Sequence, residues 1–349
     1  MDLVARRLVA QRIAVPAATP EEAVGRLGAV QAQDYLGALW AVGLRTKGAS
    51  EATVEHALAE RKIVRTWPMR GTLHFLAAAD VRWMTALLAP RVVAGAASRL
   101  REFEIDAGVL RRARRAMVKS LEGGRRLTRP GAYEVLERAK IASAKQRGLH
   151  ILWCLAHEGL LCFGPREGKQ QTFVLLDEWL LPTAPRPRDE DLAELAHRYF
   201  TGHGPATIAD FAWWSGLNLT EARLAVRHAE AKLGYEEIRG ARYWFDPDDL
   251  SKARTSGAYA LPAFDEILVG YADRSAALPP GFARRVIGGG IFSPSLVVGH
   301  RVVGTWRRRI ERGRVHLSPI PFEPLAAPKL RAVERSFRAY AEFLGLPRR

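Results

Sequence analysis

A helix followed by two short strands around a tight turn occurs three times along the chain, without a fixed period. This recurrence constrains the fold more than any other feature of the sequence. In the first copy, Ser50 to Asp80, Val54, Ala57 and Leu58 lie on one helical face. A strand from Ile63 to Trp67, a turn from Pro68 to Gly71 and a strand from Thr72 to Leu76 follow. The second copy, Gly148 to Trp179, has Ile151, Cys154 and Leu155 on its helix. Strands Leu160 to Phe163 and Thr172 to Leu176 flank a turn from Gly164 to Gln170. The third, Leu219 to Leu250, has Thr220 as expected N-cap and a two-residue Arg239-Gly240 turn that can close a hairpin.

Helical text precedes the copies. Thr19-Pro20-Glu21-Glu22 reads as N-cap, proline at the first helical position and glutamate at the third, and Thr207 and Asp210 are spaced likewise before a turn at Gly216. Helix, turn, helix and β-hairpin is the winged helix-turn-helix layout, here three times. Such units insert a helix into the DNA major groove, and similar units also serve as packing modules. The Pro-rich, charged stretch Leu180 to Leu192 separates the second copy from the third. After Asp249 the text turns β-rich, with a hairpin expected from Ser295 to Val298 and Arg301 to Trp306 around Gly299-His300. An amphipathic helix from Leu330 to Leu344 closes the chain. The expected fold is α+β, with three tandem winged-helix domains at 1–100, 101–186 and 187–349, the last carrying the β-rich extension.

The chain has 349 residues, 48% hydrophobic and 26% charged, which excludes a disordered or collagen-like polymer. No run of about 18 apolar residues is present, so no transmembrane helix is expected. The opening MDLVARRLVAQRIAVP carries arginines through its apolar part and lacks the apolar core of a secretory signal. Cys154 and Cys162 cannot make a disulfide scaffold and fit a reducing cytoplasm. Lys+Arg 53 against Asp+Glu 37 leaves a net charge of +16, which points to a polyanion and most simply to nucleic acid. The competing reading is solubility alone, with arginine usage raised by GC-rich coding.

Cys154, His157 and Cys162 superficially resemble a zinc spacing, but no fourth ligand is near, and two core thiols are expected. Gly288-Gly289-Gly290 lacks the lysine of a phosphate-binding loop and reads as a bend between strands. No cofactor or metal is expected. On the segment from Val109 to Arg129, Leu110, Ala113, Met117 and Leu121 form an apolar stripe. Arg111, Arg112, Arg114, Arg115 and Lys119 cover the remaining surface, either as a solvated face or as a phosphate-contacting flank. Gln31 and Gln33 interrupt an apolar helical stretch. In a helix they diverge by about 200°, and they share a side only where the backbone is extended. Two converging amides can hold a water or a sugar oxygen. Capping or satisfying buried backbone is the structural alternative.

The segments VQAQ, RTWPMRGTLHFL (Arg65 to Leu76), LPAFDEILVGYADRS (Leu261 to Ser275) and VVGHRVVGTWR together resemble the winged-helix DNA glycosylase family that includes AlkZ and the YcaQ enzymes. The resemblance spans nearly the whole chain. It implies three tandem winged-helix domains in a C shape around a basic, DNA-sized channel, and removal of alkylated bases by a monofunctional glycosylase. The family signature is Gln-x-Gln in the azinomycin-resistance branch and Gln-x-Asp in the YcaQ branch. Gln31-Ala32-Gln33 is similar to the former, and Asp34 is out of phase with the pair. The family also probes DNA with a C-terminal β-hairpin, which Val297 to Arg307 matches best.

The resemblance therefore implies Gln31 and Gln33 as catalytic residues. DNA contacts are expected from Arg65, Arg70, Arg111, Arg114, Arg115, His300, Arg301 and Arg307. Asp34, Asp265 and Glu266 are possible supporting carboxylates, although a structural ion pair with Arg274 is an equal expectation for the last two. The expected partner is double-stranded DNA carrying alkylated purines of the N7-alkylguanine type, including crosslinks. The protein is expected to act as a monomer in the cytoplasm at the nucleoid, with no membrane. The alternative is a non-catalytic winged-helix DNA-binding or regulatory protein in which both glutamines are structural.

Overall fold

The structure is a computed structural model that describes residues 2–248, 255 and 257–347. Asp249 and Leu250, the end of the third repeat, lie outside them. The chain divides into two compact units, one continuous (Ala57–Asp191) and one discontinuous (Met1–His56 with Leu192–Arg349). The boundary expected at 186/187 falls beside the Asp191–Leu192 division. The one expected at 100/101 falls inside the continuous unit.

The continuous unit contains the hairpins of the first two repeats, Ile63–Met69 with Thr72–Ala77 and Leu161–Glu167 with Gln170–Leu175. Arg65 pairs with Phe163 and joins them into one antiparallel sheet, which Leu127–Thr128 extends by pairing with the last strand. Directly opposed residues share a face, so Phe75, Arg65, Phe163, Phe173 and Leu127 form one row across the sheet. Trp67, Phe163 and Phe173 pack ring against ring, with centroids 5.0 and 4.7 Å apart. The helix Ala107–Leu121 is amphipathic as expected, but its buried stripe is Val109, Ala113, Met117 and Leu121, and Leu110 is only partly covered. The second repeat's helix, Arg147–His157, buries Ile151 and Leu155 in the same core, and its Cys154 is buried as well.

The discontinuous unit contains the third repeat. Thr207 and Asp210 form a full capping box on the helix Ile208–Ser215, which ends at Gly216 with φ of 77°. The next helix, Leu219–Ala229, is capped by Asn218 and not by Thr220. Asn218 Oδ1 accepts from the Glu221 backbone at 2.8 Å, and an amide oxygen is the stronger capping group. Arg239 and Gly240 take φ values of 52° and 77°, the backbone that a two-residue hairpin turn needs. The helix Arg188–His203 starts inside the expected linker, so irregular chain spans only 181–187.

The β-rich extension is a four-stranded antiparallel sheet in the order Arg314–Pro321, Arg301–Glu311, Ser295–Val298, Ala258–Leu261. The helix Ala327–Leu344 covers it, with Trp306 against Phe337 and Tyr340 at 5.7 and 5.2 Å. The helix Tyr35–Leu44 packs on the same aromatic cluster through Trp40, 5.1 Å from both Tyr340 and Phe343. Trp40 Nε1 donates to the Ala260 carbonyl at 2.7 Å. Gly43 is required there, because a Cβ would lie 2.2 Å from the Phe343 ring. Burial of these large rings joins the two ends of the chain into one unit.

Candidate active site

The glutamine segment leaves the helical conformation. Gly28, at φ of 74°, ends the helix Pro20–Leu27. Val30–Gln31 are extended, Gln33 and Asp34 form a bend, and the helix Tyr35–Leu44 starts beyond them. Extended backbone removes the divergence that a helix would impose on two side chains at this spacing. Ala32 is fully buried, Gln31 is 7% exposed and Gln33 is exposed. Asp34 occupies the N-cap position without a side-chain cap bond, and its Oδ1 lies 4.0 Å from Arg308 Nη2.

The expected pairing of Asp265 and Glu266 with Arg274 is corrected. Asp265 caps the short helix Glu266–Val269 and takes two 2.9 Å hydrogen bonds from Arg45. Arg274 instead donates to the carbonyls of Leu268 and Ala272. A buried carboxylate needs a cation that can be buried with it. Arg45 is fully buried, at the C-terminal end of the helix that follows the glutamine segment. Glu266 is also fully buried. Its Oε1 accepts from the Gln31 backbone N–H at 3.1 Å, and its Oε2 lies 3.1 Å from His203 Nε2, which donates. Arg45 Nη2 donates to Gln11 Oε1 at 2.9 Å, Gln11 Nε2 to the Tyr271 hydroxyl at 3.1 Å, and that hydroxyl to the His203 carbonyl at 2.8 Å. The two consecutive acids thus belong to a closed polar ring behind the segment. Burial in it takes both out of reach of a substrate. Gln11, Arg45, His203 and Tyr271 are dispersed in sequence and give no motif.

Among the expected cations, Arg65 is 6% exposed and lies over the Phe163 ring at 4.9 Å. Its place in the middle of the joined sheet removes it from the accessible surface. Arg70 sits at the turn of the first hairpin, half-buried, with Nη2 3.3 Å from His74 Nε2. Burial and the Arg70 charge lower the His74 pKa to about 3, so its neutral ring accepts from Arg70 and donates through Nδ1 to the Thr72 carbonyl. On the Ala107–Leu121 helix, Arg111, Arg112, Arg114 and Arg115 are exposed, and Arg114 pairs with Glu158 at 2.6 Å.

The expected hairpin forms around Gly299-His300, with Val298 opposite Arg301. His300 stands at the tip between Ser295–Val298 and Arg301–Glu311, but its ring is tied to the Asp2 carboxylate and the Thr255 hydroxyl. Arg301 and Arg307 are exposed on the following strand. That strand runs on to a second, longer hairpin with Arg314–Pro321, closed by Arg312-Gly313 at φ of 47° and 71°. Arg307, Arg309, Ile310, Arg312 and Arg314 are exposed there. The pattern that marks Arg239-Gly240 as a turn was present at Arg312-Gly313 and would have found these residues.

Cys154 and Cys162 are both buried, and desolvation pushes the Cys154 thiol up to about 12 and Cys162 higher, so neither supplies a thiolate. Among the described residues no group of three or more His, Cys, Asp or Glu stands close enough to hold a metal ion, and no helix is long and apolar enough to cross a membrane.

Residues 24–343 match the AlkZ-like DNA glycosylase family. The chain belongs to that family. Membership decides between the enzyme and the non-catalytic DNA-binding protein in favour of a DNA glycosylase. A relative described as an interstrand DNA cross-link repair glycosylase from Streptomyces sahachiroi is 28% identical, over 94% of this chain and 91% of its own length. The solved structure of the Streptomyces sahachiroi DNA glycosylase AlkZ superposes with a TM-score of 0.76 at 25% identity, covering 100% of both chains. The glutamine segment, both C-terminal hairpins and, apart from Gln11, the polar ring of this glycosylase lie within residues 24–343.

Proposed function

We propose that this glycosylase hydrolyses the N-glycosidic bond of cationic alkylated purines of the N7-alkylguanine type in double-stranded DNA, and that it unhooks interstrand crosslinks. The observation that carries the reading is Gln31-Ala32-Gln33 placed in extended and bent backbone with Gln33 exposed, while Asp265 and Glu266 are buried behind it. Alkylation at N7 leaves the base cationic. The C1′–N bond then breaks with its electron pair neutralising the base, and no general acid is needed. Water attacks C1′ and releases its proton to solvent. Neutral amide carbonyls orient that water and face the positive sugar favourably. Crosslink unhooking is supported by the description of the Streptomyces sahachiroi relative.

Exposed arginines supply a sequence-independent grip on phosphates. We assign the probing role to the Arg312-Gly313 hairpin rather than to the His300 tip. The winged-helix units hold the duplex, and the enzyme acts as a monomer on chromosomal DNA in the cytoplasm. The test is single-turnover excision over a panel of N7-methylguanine, bulky N7 adducts, an N7-linked crosslink and a neutral lesion. Abasic products from the cationic lesions and none from the neutral one are expected. Robust excision of the neutral base would demand a proton donor and overturn the reading.

A further inference from the structure

Residue 31 lies in a short segment between two helices, and its backbone N–H reaches a glutamate that follows it by 235 positions. A fully buried glutamate is costly unless its oxygens are all used, and both oxygens of Glu266 are bonded. The second oxygen fixes the first. His203 is itself immobilised, stacked on Tyr199 with centroids 4.7 Å apart and an interplanar angle of 10°. A Cβ on Gly270 would lie 2.7 Å from its ring, so that wall is closed. On the other side of the segment, Asp265 holds Arg45 at the end of the helix Tyr35–Leu44. Adjacent carboxylates thereby tie down both the residue that enters the bend and the helix that leaves it.

We propose that Glu266, oriented by His203, is a positioning residue for excision: its Oε1 sets the backbone at Gln31 and so aims the two glutamine amides. It touches no substrate and transfers no proton. The proposal rests on the reading of Gln31 and Gln33 as the reacting pair. What it needs from residue 266 is an acceptor at full reach, not a charge. Glu266→Gln keeps a carbonyl oxygen at that reach. Glu266→Asp keeps the charge but withdraws the oxygen by about one carbon–carbon bond, a displacement of the order that costs up to about 100-fold in rate when it reaches reacting groups.

The experiment uses the full chain, N7-methylguanine duplex and native-state amide exchange of peptides spanning residues 29–33. Val226→Ala, a buried truncation in the helix Leu219–Ala229, serves as the stability control. Expected are a fall of about 10–100-fold in single-turnover rate for Glu266→Asp with unchanged duplex Kd, faster exchange confined to those peptides, and both readouts within about threefold of wild type for Glu266→Gln. A slow Glu266→Gln beside a normal Glu266→Asp would assign the role to the charge and overturn the proposal. Normal rates in both, or slow rates in both without local exchange beyond that of Val226→Ala, would do the same. Should Gln31→Ala and Gln33→Ala excise normally, the reading of the glutamines falls. The exchange of the two Glu266 variants still decides whether Glu266 holds the segment.

Discussion

Arg45 and Asp265 meet through two 2.9 Å hydrogen bonds, 220 residues apart in sequence, with both side chains almost wholly removed from solvent. Two charges are stable there only as a pair. Asp265→Asn leaves the guanidinium without its countercharge and should cost about 3–5 kcal/mol, lowering Tm by roughly 10 °C. Thermal denaturation of Asp265→Asn beside the double variant Arg45→Met/Asp265→Leu checks this. The double variant should recover much of the loss, because an apolar pair needs no desolvation of charge.

Gln33 is exposed, so truncating its amide should spare the core, and Gln31→Ala keeps the backbone bond to Glu266. Gln31→Ala and Gln33→Ala should each slow single-turnover excision by roughly 10–10³-fold with duplex affinity and Tm barely changed. If the two orient one water, the double variant should be little slower than the slower single. Loss of folding together with activity would return the pair to a structural role.

Arg312 stands at an exposed turn and Arg65 inside a sheet. DNA affinity measured against salt should follow a log–log line with a slope of about −0.9 per phosphate contact. Arg312→Ala should reduce that slope by about one contact. Arg65→Met should lower Tm and leave the slope alone. An unchanged slope in Arg312→Ala would remove this hairpin from the DNA interface.

His300, held by Asp2 and Thr255, should matter less than the longer hairpin. His300→Ala should change excision by less than about threefold, whereas Arg309→Ala/Arg312→Ala should weaken it by roughly tenfold or more, the scale of two lost charge-assisted contacts. Excision by both variants on one crosslinked and one N7-methylguanine duplex measures the difference. The reverse ranking would restore His300 as the probe.

His74 and His157 are buried in the continuous unit, and desolvation holds their pKa values near about 3 and about 4 against 6.5 in the unfolded chain. Unfolding therefore takes up protons below pH 6.5. Stability should fall as pH drops through that value, by at most about 1.4 kcal/mol per pH unit for each ring, until the folded forms protonate in turn. Urea denaturation between pH 7.5 and about 5, above the carboxylate range, should show the slope. His157→Phe should remove about one proton from it.

Much of the fold was legible because its signals act over a few residues. The Thr207–Asp210 capping box, the Gly216 stop, the Arg239-Gly240 turn and the apolar stripe of the Ala107–Leu121 helix each follow from local backbone and side-chain preferences. The glutamine pair was legible as polar residues out of place in apolar text, and the four family segments in combination gave it a role. The second C-terminal hairpin was legible in the same way at Arg312-Gly313.

Partner choice was not. A chain with 53 basic residues offers Asp265 many cations, and Arg45 is selected over the nearby Arg274 because the fold buries Arg45 alongside it. Arg65 read as a surface arginine until Phe163 joined the two hairpins above it. His300 read as a free tip until Asp2 and Thr255 closed on it. The sequence by itself determined the elements, the turns, the basic charge and the chemistry available at Gln31 and Gln33. The tertiary structure decided which charges lose their water, as those of Arg65, Asp265 and Glu266 do, and which stay exposed, as those of Arg307 and Arg312 do. Desolvation depends on everything that packs around a group, and no local stretch of sequence carries that information.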